Sequence, residues 1–85
     1  MLSKPFARMV DHELSSARSL HPIPHRSFHE SYAIILEELE EFWEEVKKKP
    51  DDRDRRLLLD ELVQIAAMCQ RAAEDSMLVS IPPKD

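Results

Sequence analysis

Residues 27–46 read SFHESYAIILEELEEFWEEV, and the spacing of the large apolar side chains in this stretch decides the fold class. At about 100° per residue, Phe28, Tyr32, Ile35, Leu36, Leu39, Phe42, Trp43 and Val46 fall within one arc of about 120°. That is the pattern of an amphipathic helix with a core face. Ser27 and Glu30 make a capping box, in which the hydroxyl accepts from the Glu30 amide and the carboxylate returns to the Ser27 amide. The helix is therefore placed at residues 27–49, with Pro50 ending it and Lys47, Lys48 and Lys49 against the negative end of its dipole.

The other side of this helix carries acids. Glu37, Glu38, Glu40, Glu41, Glu44 and Glu45 are interrupted only by Leu39, Phe42 and Trp43. A dense acid run is ordinarily a solvated face, but such a face commonly carries Lys or Arg one turn away, and none occurs between Ser27 and Val46. Ile34 lies among the acids, which suggests that part of this side is covered. Glu40, Glu44 and Glu45 read as solvated charge.

Working outward, Asp51, Asp52 and Asp54 supply helix-start chemistry after Pro50, and a further helix is expected at residues 53–76. The short turn makes the two helices an antiparallel hairpin. Leu57, Leu58, Leu62, Ile65, Met68, Cys69 and Ala72 form its expected apolar face, with Cys69 a core residue. Glu61 falls inside that face. A carboxylate there must be neutralised, paired with a cationic side chain or bound to a cation, because an unpaired buried charge is costly.

Upstream, residues 5–19 form a short helix in which Phe6, Met9, Val10, Leu14 and Ala17 recur at helical spacing, while Glu13 intrudes on the apolar arc. Residues 20–26 contain Pro22 and Pro24 and are a connector, ordered or mobile. His21 and His25 in it read as ordinary loop histidines. Residues 77–85, with Pro82 and Pro83, are a tail or an arm on a neighbour.

The 85 residues suit one small domain, residues 1–85, of a size at which subunit association commonly adds buried area. A dimer or tetramer forming an oligomeric helical bundle is expected. The absence of Gly excludes a P-loop or a Rossmann turn, and a net charge of −5 with scattered Lys and Arg argues against binding a nucleic-acid polymer. One cysteine allows no internal disulfide, and no apolar run approaches the ~20 residues that span a bilayer. A soluble cytoplasmic protein with no charged-then-apolar leader and no membrane partner is the expectation.

Glu37-Glu38-Leu39-Glu40-Glu41 on one helix and Glu61-Leu62-Val63-Gln64 on the next resemble the paired motif of the MazG-like all-α nucleoside triphosphate pyrophosphohydrolases, Glu-Glu-x-x-Glu followed by Glu-x-x-Asp. Gln64 stands where that family has aspartate. The resemblance covers residues 27–76, and His29 to Glu38 resembles small phage and bacterial members. It implies Mg²⁺, or Mn²⁺, held by Glu38, Glu41 and Glu61, with Glu37 orienting or deprotonating the attacking water and Gln64 a weakened ligand. It implies hydrolysis of a (d)NTP to the (d)NMP and pyrophosphate. Lys47 and Arg71 are the expected phosphate contacts. An amide brings no negative charge to a cation, so two other readings stand beside catalysis: a degenerate MazG-like protein that binds nucleotide or metal, and a non-enzymatic helical interaction module.

Overall fold

The computed structural model describes residues 3–84 and is all-helical. Three α-helices, α1 (Lys4–Leu20), α2 (Phe28–Val46) and α3 (Arg55–Asp75), are accompanied by single 3-10 turns at Pro50–Asp52 and Leu78–Ser80. No described helix is long and apolar enough to cross a membrane.

Local chemistry sets the boundaries. Ser3 caps α1 by accepting from the Phe6 amide, Pro5 sits in the first turn, and the two prolines of the connector forbid continuation. Ser27 accepts from the Glu30 amide at 3.0 Å, as the capping box requires, but the reciprocal bond is not made. The Glu30 carboxylate accepts instead from the Arg26 amide at 3.0 Å and pairs with the Arg26 guanidinium.

Helix α2 ends at Val46, three residues before the expected limit. Its last carbonyl is taken by the Arg53 guanidinium, with Nε and Nη2 donating at 3.1 and 2.7 Å. Satisfying an orphan carbonyl from the following turn fixes the stop more tightly than Pro50 alone would. Asp54 then caps α3 by accepting from the amides of Arg56 and Leu57. At the far end Met77 takes a left-handed conformation, φ 65°, the reversal usually given to Gly or Asn, in a chain that has no Gly.

Helix α3 contacts both α1 and α2. The buried apolar core is small: Val10 and Leu14 of α1 pack with Val63 and Ala67 of α3, flanked by Phe6, Leu59, Ala66 and Met68. This corrects the expected core faces. Phe28, Tyr32 and Trp43 of α2 are 64%, 67% and 56% exposed, and Leu39 and Leu62 are exposed as well. Cys69 also lies exposed rather than in the core. The side of α2 turned inward is the acidic one, where Ser31 and Glu45 are buried and Ile34 and Glu38 are half-buried.

The reason is amphipathicity of a second kind. Leu58, Leu62, Ile65 and Cys69 recur at intervals of four, three and four on α3, as Tyr32, Leu39 and Trp43 recur on α2, and among the described residues Tyr32, Leu39, Trp43, Leu62 and Cys69 of these stripes stay exposed while Leu58 and Ile65 are half-buried.

Candidate metal centre

Two helices bring three carboxylates together. Glu38 and Glu41 lie one turn apart on α2, and Glu61 comes from α3. One oxygen of each lies within 4.8 Å of the others, a spacing that a single cation can span. Glu61 is only 8% exposed, and its Oε2 has no hydrogen-bond partner. Glu38 Oε2 is likewise buried and unpartnered. Buried polar atoms in native structures are almost always satisfied, so two orphaned carboxylate oxygens at one place mark a cluster that either a proton or a cation would complete.

The electrostatics agree. Burial, followed by the charges of Glu41 and Glu61, pushes the Glu38 carboxyl from 4.5 to about 7. Burial and then the Glu41 charge push Glu61 up as well. No Lys or Arg pairs with any of the three among the described residues. The ion-pair explanation for Glu61, open at the level of sequence, has no partner to supply it.

Beside the cluster lies a cavity of about 590 Å³. Its polar edge includes the acids Glu37 and Glu38 and the amide of Gln64, its apolar wall Leu20, Ile23, Ile34 and Met68. Glu13, the acid that interrupts the apolar arc of α1, lines the cavity too. Its position inside the arc therefore reflects a second internal surface, opening on the cavity. Glu37 is exposed and belongs to the cavity wall, outside the three-carboxylate cluster. Gln64 is half-buried on that wall, one turn beyond Glu61.

The expected phosphate contacts fare differently. Lys47 lies past the end of α2, pairs with Glu44 and does not line the cavity. Arg71 does line the cavity, but it is 3% exposed and its guanidinium is engaged: Nη2 donates to the carbonyls of His21 and Ile23, and Nε to Asp75. The cation with an exposed head on the cavity rim is Arg26, whose side chain is 77% exposed. Sequence reading passed over Arg26 because a lone Arg next to a helix cap carries no distinguishing pattern.

Compared with protein families, with characterised proteins and with solved structures, the chain has no significant match. The reading of the site therefore rests on its own geometry.

Glu45 corrects the outer boundary of the acid run. It is 2% exposed rather than solvated, and it accepts from the Asp54 amide at 2.7 Å and from Lys48 at 2.9 Å. The Asp54 amide, then Lys48, holds its carboxyl below the usual carboxylate range. Glu40 and Glu44 are exposed. The run thus contains a structural acid, a site edge and a solvated remainder.

Proposed function

We propose that the protein is a MazG-like pyrophosphohydrolase that converts a (d)NTP to the (d)NMP and pyrophosphate. The observation that carries the reading is the buried, unpartnered Glu61 oxygen converging with Glu38 and Glu41 beside a cavity large enough for a small organic ligand. Three hard oxygen donors with no cationic partner suit a divalent cation such as Mg²⁺ or Mn²⁺. Bound there, such a cation would supply positive charge to the phosphate oxygens and acidify water.

The chain's own residues take the remaining work. Glu38, Glu41 and Glu61 hold the charge, and Glu37 on the cavity wall orients or deprotonates water. Gln64 offers a neutral carbonyl where the motif has a carboxylate, and Arg26, on the cavity rim and held only by an exposed pair with Glu30, replaces Lys47 as the side chain placed to meet a phosphate. Glu45 to Asp54, Glu38 and Glu41 to Glu61, and Ser31 to His25 beside Asp75 occur in the order expected of an antiparallel α2–α3 hairpin.

We infer further that a second copy covers the apolar face of that hairpin, giving a dimer or a tetramer. The exposed Tyr32, Leu39, Trp43 and Leu62, at heptad-like spacing, support this beside a buried apolar core of only Val10, Leu14, Val63 and Ala67 among the described residues. A monomer mass by light scattering at micromolar concentration would remove this part.

Gln64 favours a second reading, a degenerate MazG-like site that binds nucleotide or metal without efficient turnover. A pyrophosphate-release screen over NTPs and dNTPs with Mg²⁺ and Mn²⁺, run on the wild type and on Gln64→Asp, separates the two. Release by the wild type supports the enzyme, and release by the variant alone supports the degenerate site. Release by neither leaves the helical interaction module, for which the exposed apolar face would be the working surface.

A further inference from the structure

The connector between α1 and α2 is a wall of the cavity, contributing Pro22, Ile23, His25 and Arg26. It has no regular structure, and two of its residues lack an amide hydrogen, so its position has to come from side chains outside it. Glu30 and Ser31 of α2 hold its Arg26 and His25 side, and Arg71 and Asp75, one turn apart at the end of α3, hold its backbone from His21 to His25. Arg71 Nη2 donates to the His21 carbonyl at 2.6 Å and to the Ile23 carbonyl at 2.9 Å. Asp75 Oδ2 accepts from the His25 amide at 2.8 Å and from Arg71 Nε at 3.3 Å.

One guanidinium holding carbonyls on both sides of Pro22 fixes the direction of the chain there, which a flexible ammonium point charge does poorly. Asp75 is held in turn by Arg18 of α1 at 2.8 Å, so the node ties α1, the connector and α3 together. A buried Arg is an expensive way to close a loop if the loop has only to connect two helices.

We propose that Arg71 and Asp75 are positioning residues for the substrate site, holding the 21–25 connector as a fixed wall whose Ile23 side chain bounds the organic part of the substrate. The inference rests on the pyrophosphohydrolase reading and adds to it which residues shape the cavity. The connector contributes nothing to the carboxylate cluster, so loosening it weakens substrate binding and leaves the cation site intact.

The test uses the full chain with three substitutions. Arg71→Met keeps the apolar stem and leaves Asp75 paired with Arg18. Asp75→Asn weakens the node from the other side. Ile23→Ala, at a position 68% exposed, alters the wall without touching the node. Pyrophosphate release as a function of nucleotide concentration is read beside hydrogen exchange of the His25 amide and the Mn²⁺-induced rise in Tm.

Arg71→Met and Asp75→Asn are expected to speed exchange at His25 and to raise KM about tenfold, with kcat within about threefold and the Mn²⁺ response retained. Ile23→Ala is expected to raise KM with His25 exchange as in the wild type. Unchanged KM in all three, loss of kcat at constant KM, or His25 exchange unaffected by Arg71→Met would each overturn the proposal. A failure of the functional reading itself shows in the wild type, as absence of release, whereas a failure of this inference shows only in the variants.

Discussion

Two buried acids face each other across the fold's logic. Glu45 and Glu61 belong to neighbouring helices and both are more than nine-tenths buried, Glu45 from within a run of acids and Glu61 from within an apolar pattern. Glu45 is completed by the chain itself, with the Asp54 amide on one oxygen and Lys48 on the other, and its proton is held loosely. Glu61 has an oxygen with no partner and two carboxylates for neighbours, and its proton is held tightly. Burial of a carboxylate is therefore not a functional signal by itself. Burial without completion is.

The largest effect should come from exchanging the two cases. In cation-free buffer Glu45→Ala should lower Tm on the order of 10 °C, because it strips the Asp54 amide and Lys48 of their partner at the α2–α3 turn. Glu61→Gln in the same buffer should raise Tm by a few degrees, since it removes a desolvated charge from beside Glu38 and Glu41. Thermal melts followed by circular dichroism check both. A fall in Tm for Glu61→Gln would mean that its carboxylate is stabilised by something other than a cation.

The pH dependence sharpens the contrast. Glu38 binds its proton more tightly in the folded protein than in the unfolded chain, with a value raised from 4.5 to about 7. Its contribution is fully present below the ordinary value and is lost as pH rises through about 7. Glu45 has the opposite sign: its contribution is present above the usual carboxylate range and is lost as pH falls through its lowered value. Cation-free melts from pH 4 to pH 8 should therefore decline at the alkaline end, and Glu38→Gln should flatten that decline while leaving the acid limb in place.

Smaller effects are expected where one ligand is adjusted. Gln64→Asp should tighten Mn²⁺ binding about tenfold by adding charge to the ligand set, measurable by isothermal titration. Lys47→Ala should leave Mn²⁺ affinity and pyrophosphate release unaltered, because Lys47 makes only an exposed pair with Glu44 outside the cavity. A loss of release in Lys47→Ala would restore it as a phosphate contact and break the assignment of that role to Arg26.

The sequence carried the helices well because their signals are local. Ser27, Asp54, Pro5 and Pro50 stand where the chain starts or stops helix, and the period of the apolar residues is unambiguous. It did not carry which face is the core of this chain. Phe28, Tyr32 and Trp43 mark an apolar face, but periodicity records that a surface is apolar and is silent on whether the same chain covers it. Ile34 gave the better clue, an apolar residue among acids on the side that turns inward.

The candidate site divides the same way. Glu61 was visible as an acid within an apolar pattern, and Glu38 and Glu41 through their spacing. Glu45 could not be told from its neighbours, because its partners are a backbone amide nine residues on and a lysine one turn away. Arg71 and Asp75 act through the connector, some fifty residues distant in the chain, and no local pattern announces contacts of that range.

The proposal on which the rest depends is that Glu38, Glu41 and Glu61 together hold a divalent cation. A melting series of the wild type and Glu61→Gln over increasing Mn²⁺ tests it directly. Cation at about a hundred times its Kd contributes ~2.7 kcal/mol to the folded state, on the order of 10 °C in a domain of this size. The wild type should show that concentration-dependent rise and Glu61→Gln should show none. Equal rises in both proteins, or a wild-type Tm that stays flat through millimolar Mn²⁺, would contradict it.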